Sequence, residues 1–133
     1  DPNDLWSAGA LPRWSNADGL VADLFATGSD ESGQANGTLI GRDFGLFSQL
    51  GASFPYGALV GSINTSLFVI GTNFADTAAD TGELMLWYWD SNSGDNSNSV
   101  VATINTRGEE VPEPAIWLLS VLALIGLKLS RQR

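Results

Sequence analysis

The chain has 133 residues and a formal net charge of −9, with 15 acidic residues against six basic ones. It contains no Cys and no His, which excludes disulfides, thiolate metal sites and acid–base catalysis by histidine. Before Ala115 the only cations are Arg13, Arg42 and Arg107, and such an acidic surface repels nucleic acid.

The first part of the chain predicts short strands separated by turns. Residues 1–19 are expected to be extended or loop, because Pro and Gly interrupt any periodicity. Residues 20–27 predict a strand, 28–33 a polar loop and 38–40 a short strand. Residues 41–57 carry Gly, Phe and Pro without a clear period, so no element is predicted there.

The second part of the chain has stronger strand signals. Residues 58–63 and 67–70 are apolar runs around Asn64-Thr65-Ser66, which predicts a hairpin. After a polar loop at 73–82, residues 83–89 and 100–105 predict two further strands. Short strands at close spacing, with turn residues between them, favour one antiparallel all-β sandwich over residues 1–106.

A loop rich in oxygen ligands follows the strand 83–89. Calcium prefers six to eight oxygens from carboxylates, amides and carbonyls, so this loop is a candidate calcium site. The same residue types are also common in ordinary surface turns, and composition alone favours that alternative. The candidate ligands are Asp90, Asn92, Ser93, Asp95 and Asn96.

The strand 83–89 also predicts a contact surface. If Leu84 and Leu86 face the core, alternation places Met85, Trp87 and Trp89 on the opposite face. Large apolar side chains on an outer face are typical of a surface that contacts a protein partner or a glycan. In the alternative interpretation another segment, such as the N-terminal stretch, covers them.

The end of the chain predicts a membrane anchor. Residues 107–114 form a Pro/Glu linker, and residues 115–127 carry no charge and no polar stripe, unlike a surface or interfacial helix. Thirteen helical residues span roughly 20 Å, which snorkelling of Lys128 would extend toward the ~30 Å hydrocarbon core. The predicted membrane residues in the segment 115–133 are Trp117, Leu118, Leu119, Val121, Leu122, Leu124, Ile125, Leu127, Lys128, Arg131 and Arg133.

The charges that flank this segment predict its orientation. Acidic residues precede it and basic residues follow it, so the positive-inside rule places the C-terminus in the cytoplasm. A single-pass membrane protein is expected, with the β-domain on the side opposite the cytoplasm. The chain begins at Asp1-Pro2 without Met, as expected after removal of an export signal.

The tail resembles the PEP-CTERM sorting signal of bacterial envelope proteins. The matching features are Pro112-Glu113-Pro114, the short apolar segment and the Arg-containing end, and they cover residues 112–133. The resemblance implies an exported protein of a Gram-negative-type envelope, anchored in the inner membrane with its β-domain on the periplasmic or exterior side. It also implies cleavage near the Pro-Glu-Pro motif by an exosortase and later release at the surface.

Residues 11–105 resemble the jelly-roll family of calcium-dependent galactophilic bacterial lectins. The resemblance is carried by 54–61 (Phe-Pro-Tyr-Gly-Ala-Leu-Val-Gly), 68–71, 81–86, Asp90, 95–97 (Asp-Asn-Ser) and 101–104, in that order. It implies a jelly-roll sandwich with calcium at one end, held by Asp90, Asp95 and Asn96, with Asn92 or Ser93 contributing. The sugar-binding members also use a His-containing loop, whereas this chain has no His.

Three functions follow as hypotheses. The first is a non-catalytic, membrane-anchored lectin-like module that binds calcium and glycan. The second is an accessory subunit of a membrane protein complex, with the anchor among other transmembrane helices and the sandwich on the periplasmic side. The third is a carboxylate-based hydrolase, which the sequence favours least because it offers no His, no Cys and no Lys before the tail.

Overall fold

The computed structural model describes residue 1 and residues 3–107. Within them the regular structure is nine short β-strands and one turn of 3-10 helix at Ser93–Asp95. This confirms the all-β prediction for the described residues. The strands are β1 (Trp6–Ser7), β2 (Trp14–Ser15), β3 (Leu24–Phe25), β4 (Leu39–Gly41), β5 (Leu46–Gln49), β6 (Ala52–Pro55), β7 (Leu59–Ile63), β8 (Ser66–Val69) and β9 (Leu84–Tyr88).

The largest sheet is antiparallel and has the strand order β8-β7-β9. Strands β7 and β8 form a hairpin in which Ile63 pairs with Ser66. Its turn contains Asn64 with a φ of +52°, a conformation that Asn tolerates better than most residues. The predicted hairpin and the predicted strand before the acidic residues are both confirmed. Apolar runs of β-branched or aromatic residues bounded by turn residues are a local signal, so the sequence reveals them directly.

The other strands form three two-stranded antiparallel sheets, β1-β2, β3-β4 and β5-β6. The sheets β1-β2 and β5-β6 were not predicted. They lie in residues 1–19, which were expected to be extended or loop, and in residues 41–57, where no element was predicted. The strand predicted over 20–27 is limited to β3. The strand predicted at 100–105 was wrong, because those residues pair with no strand in the described chain; instead, the Val101 N–H donates to the Asp4 carboxylate at 2.6 Å.

Strand β7 is buried on both faces. Leu59 packs with Trp6 and Ala17 on one side, whereas Val60 packs with Ala58 and Trp89 on the other. A strand covered on both sides is expected to have consecutive apolar residues rather than an alternating pattern, as Leu59 and Val60 do at the start of β7. The β5-β6 hairpin supplies the cover on the Val60 side through Phe47 and Phe54.

A third cluster of buried residues lies under the β3-β4 pair, where Leu5, Ala26 and Ile40 pack together. Residues Asp1–Ala102 make one compact unit.

The predicted linker, apart from Arg107, lies outside the described residues. The whole predicted anchor also lies outside them. In residues 1 and 3–107 no helix has the length and apolar character needed to cross a membrane.

Candidate functional site

The candidate calcium ligands lie in residues 90–98, which we call the acidic loop. The chain turns immediately after β9, because the Asp90 N–H donates to the Tyr88 carbonyl at 3.0 Å. The 3-10 turn Ser93–Asp95 follows, and Asn92 caps it by accepting a hydrogen bond from the Gly94 N–H at 3.1 Å. These short-range bonds shape the loop locally, as its Asn and Asp content predicts.

Two buried oxygens of the acidic loop have no hydrogen-bond partner among the described residues. They are Oδ2 of Asp90 and Oδ1 of Asn96. A buried polar group left without a partner costs about 1–3 kcal/mol, and more if it is charged. Both atoms belong to residues that the sequence nominated as calcium ligands, so the two orphaned acceptors suit a cation with hard oxygen ligands.

The electrostatics of Asp90 point the same way. Burial raises the pKa of the Asp90 carboxyl, because removal from water penalises its charged form. The neighbouring Asn96 side chain and Asn92 backbone act in the opposite direction and lower that pKa, while the negative charge of Asp95 raises it. A bound cation would stabilise the charged carboxylate that burial disfavours.

The N-terminal segment holds the acidic loop in place. Ser7 and Ser97 exchange two backbone hydrogen bonds, each of 2.9 Å. Gly9 has a φ of +110°, a conformation that favours glycine, and a Cβ there would lie 2.6 Å from Asp95 Oδ2, so the backbone at Gly9 lies directly beside that carboxylate. Arg13 Nη1 lies 3.9 Å from the same oxygen as a partly exposed ion pair.

Sequence reasoning did not identify Ser7, Gly9 or Arg13 as neighbours of the acidic loop. These residues contact parts of the acidic loop that are more than 80 positions away in the sequence, and a short sequence pattern cannot predict such a contact. The one available signal was charge, because Arg13 is one of only three cations before Ala115.

The predicted ligands do not all have the same surroundings. Asp90 is buried and Asn96 is half-buried, whereas Asn92, Ser93 and Asp95 are exposed. In the described chain no group of three or more Asp, Glu, His or Cys side chains is arranged to hold a metal. A calcium ion at the acidic loop would therefore also need amide, hydroxyl, main-chain or water oxygens, all of which calcium accepts.

Strand β9 carries the candidate contact surface. Met85 and Trp87 are 46% and 41% exposed, in agreement with the prediction that they face outward. The indole N–H of Trp87 donates to the Ser62 hydroxyl at 2.8 Å, which fixes the orientation of the ring. The assumption that Leu86 faces the core was wrong, since this side chain of the edge strand is also exposed.

The prediction that Trp89 is exposed was wrong as well. Trp89 is 0% exposed and packs with Ala58 and Val60. Alternation does place it on the same face as Trp87, but the β5-β6 hairpin covers that face at the Trp89 end. The cover therefore comes from a hairpin that was not predicted, and not from the N-terminal stretch.

No protein-family model, no curated protein and no solved structure matches the chain.

Proposed function

We propose that the protein is a non-catalytic, calcium-binding, lectin-like module that a C-terminal helix holds at the outer side of a bacterial inner membrane. The observation that carries the proposal is the pair of buried, unpartnered oxygens at Asp90 and Asn96. They lie in the loop whose oxygen-rich residues are compatible with calcium and for which the family resemblance implies a calcium site.

In this proposal Asp90 and Asn96 are the primary ligands, and Asp95 adds a second negative charge from the exposed side. Calcium would neutralise the negative charge of the buried Asp90 carboxylate. It would also link the start of the acidic loop, at Asp90, to Asn96 further along the same loop. The Arg13–Asp95 ion pair is a competing interaction, because Arg13 offers Asp95 a different cation.

Trp87 is the proposed glycan contact, with Met85 beside it along the strand. An exposed indole presents a flat apolar face, and the hydrogen bond to Ser62 holds that face in one orientation before a ligand arrives. Pre-orientation lowers the entropy that is lost on binding. The jelly-roll topology belongs to this proposal too, supported by the resemblance and by the antiparallel sheets.

A catalytic role is not part of the proposal. The chain has neither His nor Cys, and Asp90, the one buried acid among residues 1 and 3–107, is assigned to calcium. The membrane location rests on the sequence of residues 112–133, namely the Pro-Glu-Pro motif, the uncharged segment and the basic end.

Terbium luminescence tests the calcium site, because Tb³⁺ replaces Ca²⁺ and is excited by nearby tryptophan. We expect sensitised emission from the full chain in detergent, displaced by calcium and lost in Asp90→Asn. Asp76→Asn is the matched control, since it removes one exposed acid from a different loop. Equal emission from all three proteins, or none from the wild type, would refute the calcium site.

A glycan array probed with the full chain, with calcium and with a chelator, tests the lectin-like role. Calcium-dependent signals that disappear in Trp87→Ala are expected. Silence on the array despite a working calcium site would remove glycan binding and leave the calcium site intact.

The second candidate function, an accessory subunit of a membrane complex, is supported by the edge strand β9. No described strand pairs with its outer edge, and three consecutive side chains, Met85, Leu86 and Trp87, are exposed on its two faces. Unpaired apolar edges are sites at which a partner adds a strand. Gentle purification from native membranes would then recover the chain in fixed stoichiometry with other proteins, whereas recovery as a monomer contradicts this function.

A further inference from the structure

The tip of the β5-β6 hairpin has an unusual leucine. Gln49 pairs with Ala52, so the turn consists of Leu50 and Gly51 alone, with φ of +50° and +78°. Positive φ at both positions marks the tight turn that normally selects Asn, Asp or Gly at its first residue. This conformation is unfavourable for leucine, because it brings the Cβ atom too close to the following carbonyl oxygen.

The same leucine is unfavourable in water. Leu50 is 71% exposed, the second-highest value among the exposed large apolar side chains of the described residues. A Cβ at Gly51 would meet no atom within 4 Å, so the tip projects away from the rest of the domain. Asn at position 50 would remove both penalties, which indicates that the leucine serves a contact outside this domain.

The outer side of the hairpin extends this apolar character. Leu46 is 68% exposed at the base of the hairpin. Between it and the tip, the hydroxyls of Ser48 and Ser53 bond to each other at 3.0 Å, so the two small polar groups partly satisfy one another. From Phe44 to Ala75 the sequence has no charged residue, although the whole chain carries −9.

The inner side of the hairpin is fixed to the core. Phe47 and Phe54 pack against the cluster around Trp89, and the Trp89 indole donates to the Phe47 carbonyl at 2.7 Å. The tip is therefore presented on a rigid base, and binding through it would order few additional groups.

We propose that the tip of this hairpin, with Leu50 leading and Leu46 behind it, inserts into the surface of a bilayer made of electrically neutral phospholipid. The inference rests on the proposed function in one respect, that the chain is held at a membrane. It adds a second, shallow contact that would orient the β-domain on the surface.

The shape and the charge of the hairpin favour lipid over a protein pocket. A projecting turn with two exposed leucines is much smaller than the roughly 800 Å² per partner of a stable protein interface, whereas lipid needs no matching shape. The hairpin is uncharged and the remainder of the domain is acidic, so an anionic surface would repel the domain and a zwitterionic surface would not.

Spin labelling of the full chain tests the insertion, and the absence of native Cys makes each introduced thiol unique. Leu50→Cys places a nitroxide at the tip, and Thr77→Cys places the control on the exposed loop after β8. In phosphatidylcholine vesicles we expect the label at 50 to be accessible to oxygen and shielded from a water-soluble nickel reagent, as in lipid. The label at 77 should show the opposite preference.

A second pair of variants guards against a label that itself perturbs the turn. In Leu46→Cys the nitroxide should be shielded from nickel, and adding Leu50→Asn should raise its nickel accessibility several-fold while the fold is kept. The proposal is overturned if position 50 has the same accessibility as position 77. It is also overturned if the label at 50 becomes immobile only in native membranes and stays water-accessible in vesicles, because that result assigns the tip to a protein pocket.

Failure of the proposed anchor gives a different result. If the wild-type chain does not float with phosphatidylcholine vesicles on a density gradient, the membrane location is refuted before any label is read. A chain that floats while position 50 remains in water retains its anchor and refutes the hairpin contact alone.

Discussion

The indole N–H of Trp89 donates a 2.7 Å hydrogen bond to the backbone carbonyl of Phe47, which joins the end of β9 to the hairpin that covers it. The Trp89 ring also meets Phe54 edge-on, with ring centroids 5.1 Å apart. One side chain thus supplies an apolar surface, an aromatic contact and a satisfied donor at the same place. It lies directly before Asp90, so the position of the candidate calcium ligand depends on this packing.

The first prediction concerns the two tryptophans on this face. Trp89→Ala should lower the free energy of unfolding by about 3–5 kcal/mol, because it empties a buried site and removes the bond to Phe47. Trp87→Ala, the matched control, should cost about 1 kcal/mol, since much of that ring already meets water. Chemical unfolding followed by near-ultraviolet circular dichroism measures both values, and equal costs would contradict the description of the face.

The second prediction separates a close contact from backbone strain. Gly71 and Gly33 both have a φ of +65°, but a Cβ at Gly71 would lie 2.7 Å from Asp18 Oδ1, whereas one at Gly33 meets nothing within 4 Å. Gly33→Ala should therefore cost about 1 kcal/mol for conformation alone.

Gly71→Ala should cost roughly 2 kcal/mol more than Gly33→Ala, because it displaces a carboxylate that accepts hydrogen bonds from Thr72 N at 2.8 Å and Thr72 Oγ1 at 3.0 Å. Thermal unfolding of both variants is the measurement. If the two substitutions lower the melting temperature equally, the close approach to Asp18 has no energetic consequence.

The third prediction is the pH dependence of Asp90. Burial raises its pKa in the folded chain, so its contribution to stability is present below the unfolded pKa and is lost as pH rises through the folded pKa. Without calcium, Asp90→Asn should therefore be more stable than wild type at neutral pH, and the difference should shrink in acid.

Calcium should reverse this order at pH 7, because it stabilises only the wild-type carboxylate. Melting temperatures across a pH series, with calcium and with a chelator, provide the measurement. A wild type that exceeds Asp90→Asn in stability at every pH without calcium would show that the buried carboxylate is not unfavourable.

The fourth prediction has the opposite sign and serves as an internal reference. Hydrogen bonds from Ser32 and Thr27 lower the pKa of Asp30 to about 2, so its contribution is present above the unfolded pKa and is lost as pH falls toward 2. Asp30→Asn should be less stable than wild type at pH 7, and the difference should shrink as pH falls through the folded pKa and vanish below it. The same pH series detects the effect, and calcium should leave it unchanged.

The fifth prediction uses the competing cation at the acidic loop. Arg13→Gln removes the positive charge 3.9 Å from Asp95, so calcium should bind about threefold more tightly at low salt, and the gain should decline as salt screens the pair. Arg42→Gln is the control because it removes the same charge outside the acidic loop. Calorimetric titration with calcium compares them, and weaker binding by Arg13→Gln would mean that Arg13 supports the site.

Local signals predicted the parts of the fold that depend on neighbouring residues. The hairpin of β7 and β8 and the strand β9 were found because their apolar runs are bounded by turn residues. The hairpin of β5 and β6 was missed because its turn carries Leu50-Gly51, in place of the Asn-Gly or Asp-Gly that marks such turns. Leu50 is therefore the reason that the hairpin was not predicted from the sequence, and it is also the residue on which the proposed membrane contact depends.

The sequence by itself determined the all-β class, the main hairpin and the position of the acidic loop. It placed Met85, Trp87 and Trp89 on one face of a strand, but it left open whether that face is exposed or covered. Only the tertiary structure decided that Trp89 is buried, that Asp90 and Asn96 hold unpartnered oxygens, and that Gly9 and Arg13 adjoin the acidic loop. Alternation along a strand predicts which side chains share a face, but it does not predict which of the two faces another segment covers. That choice depends on contacts between distant residues, which no short stretch of sequence encodes.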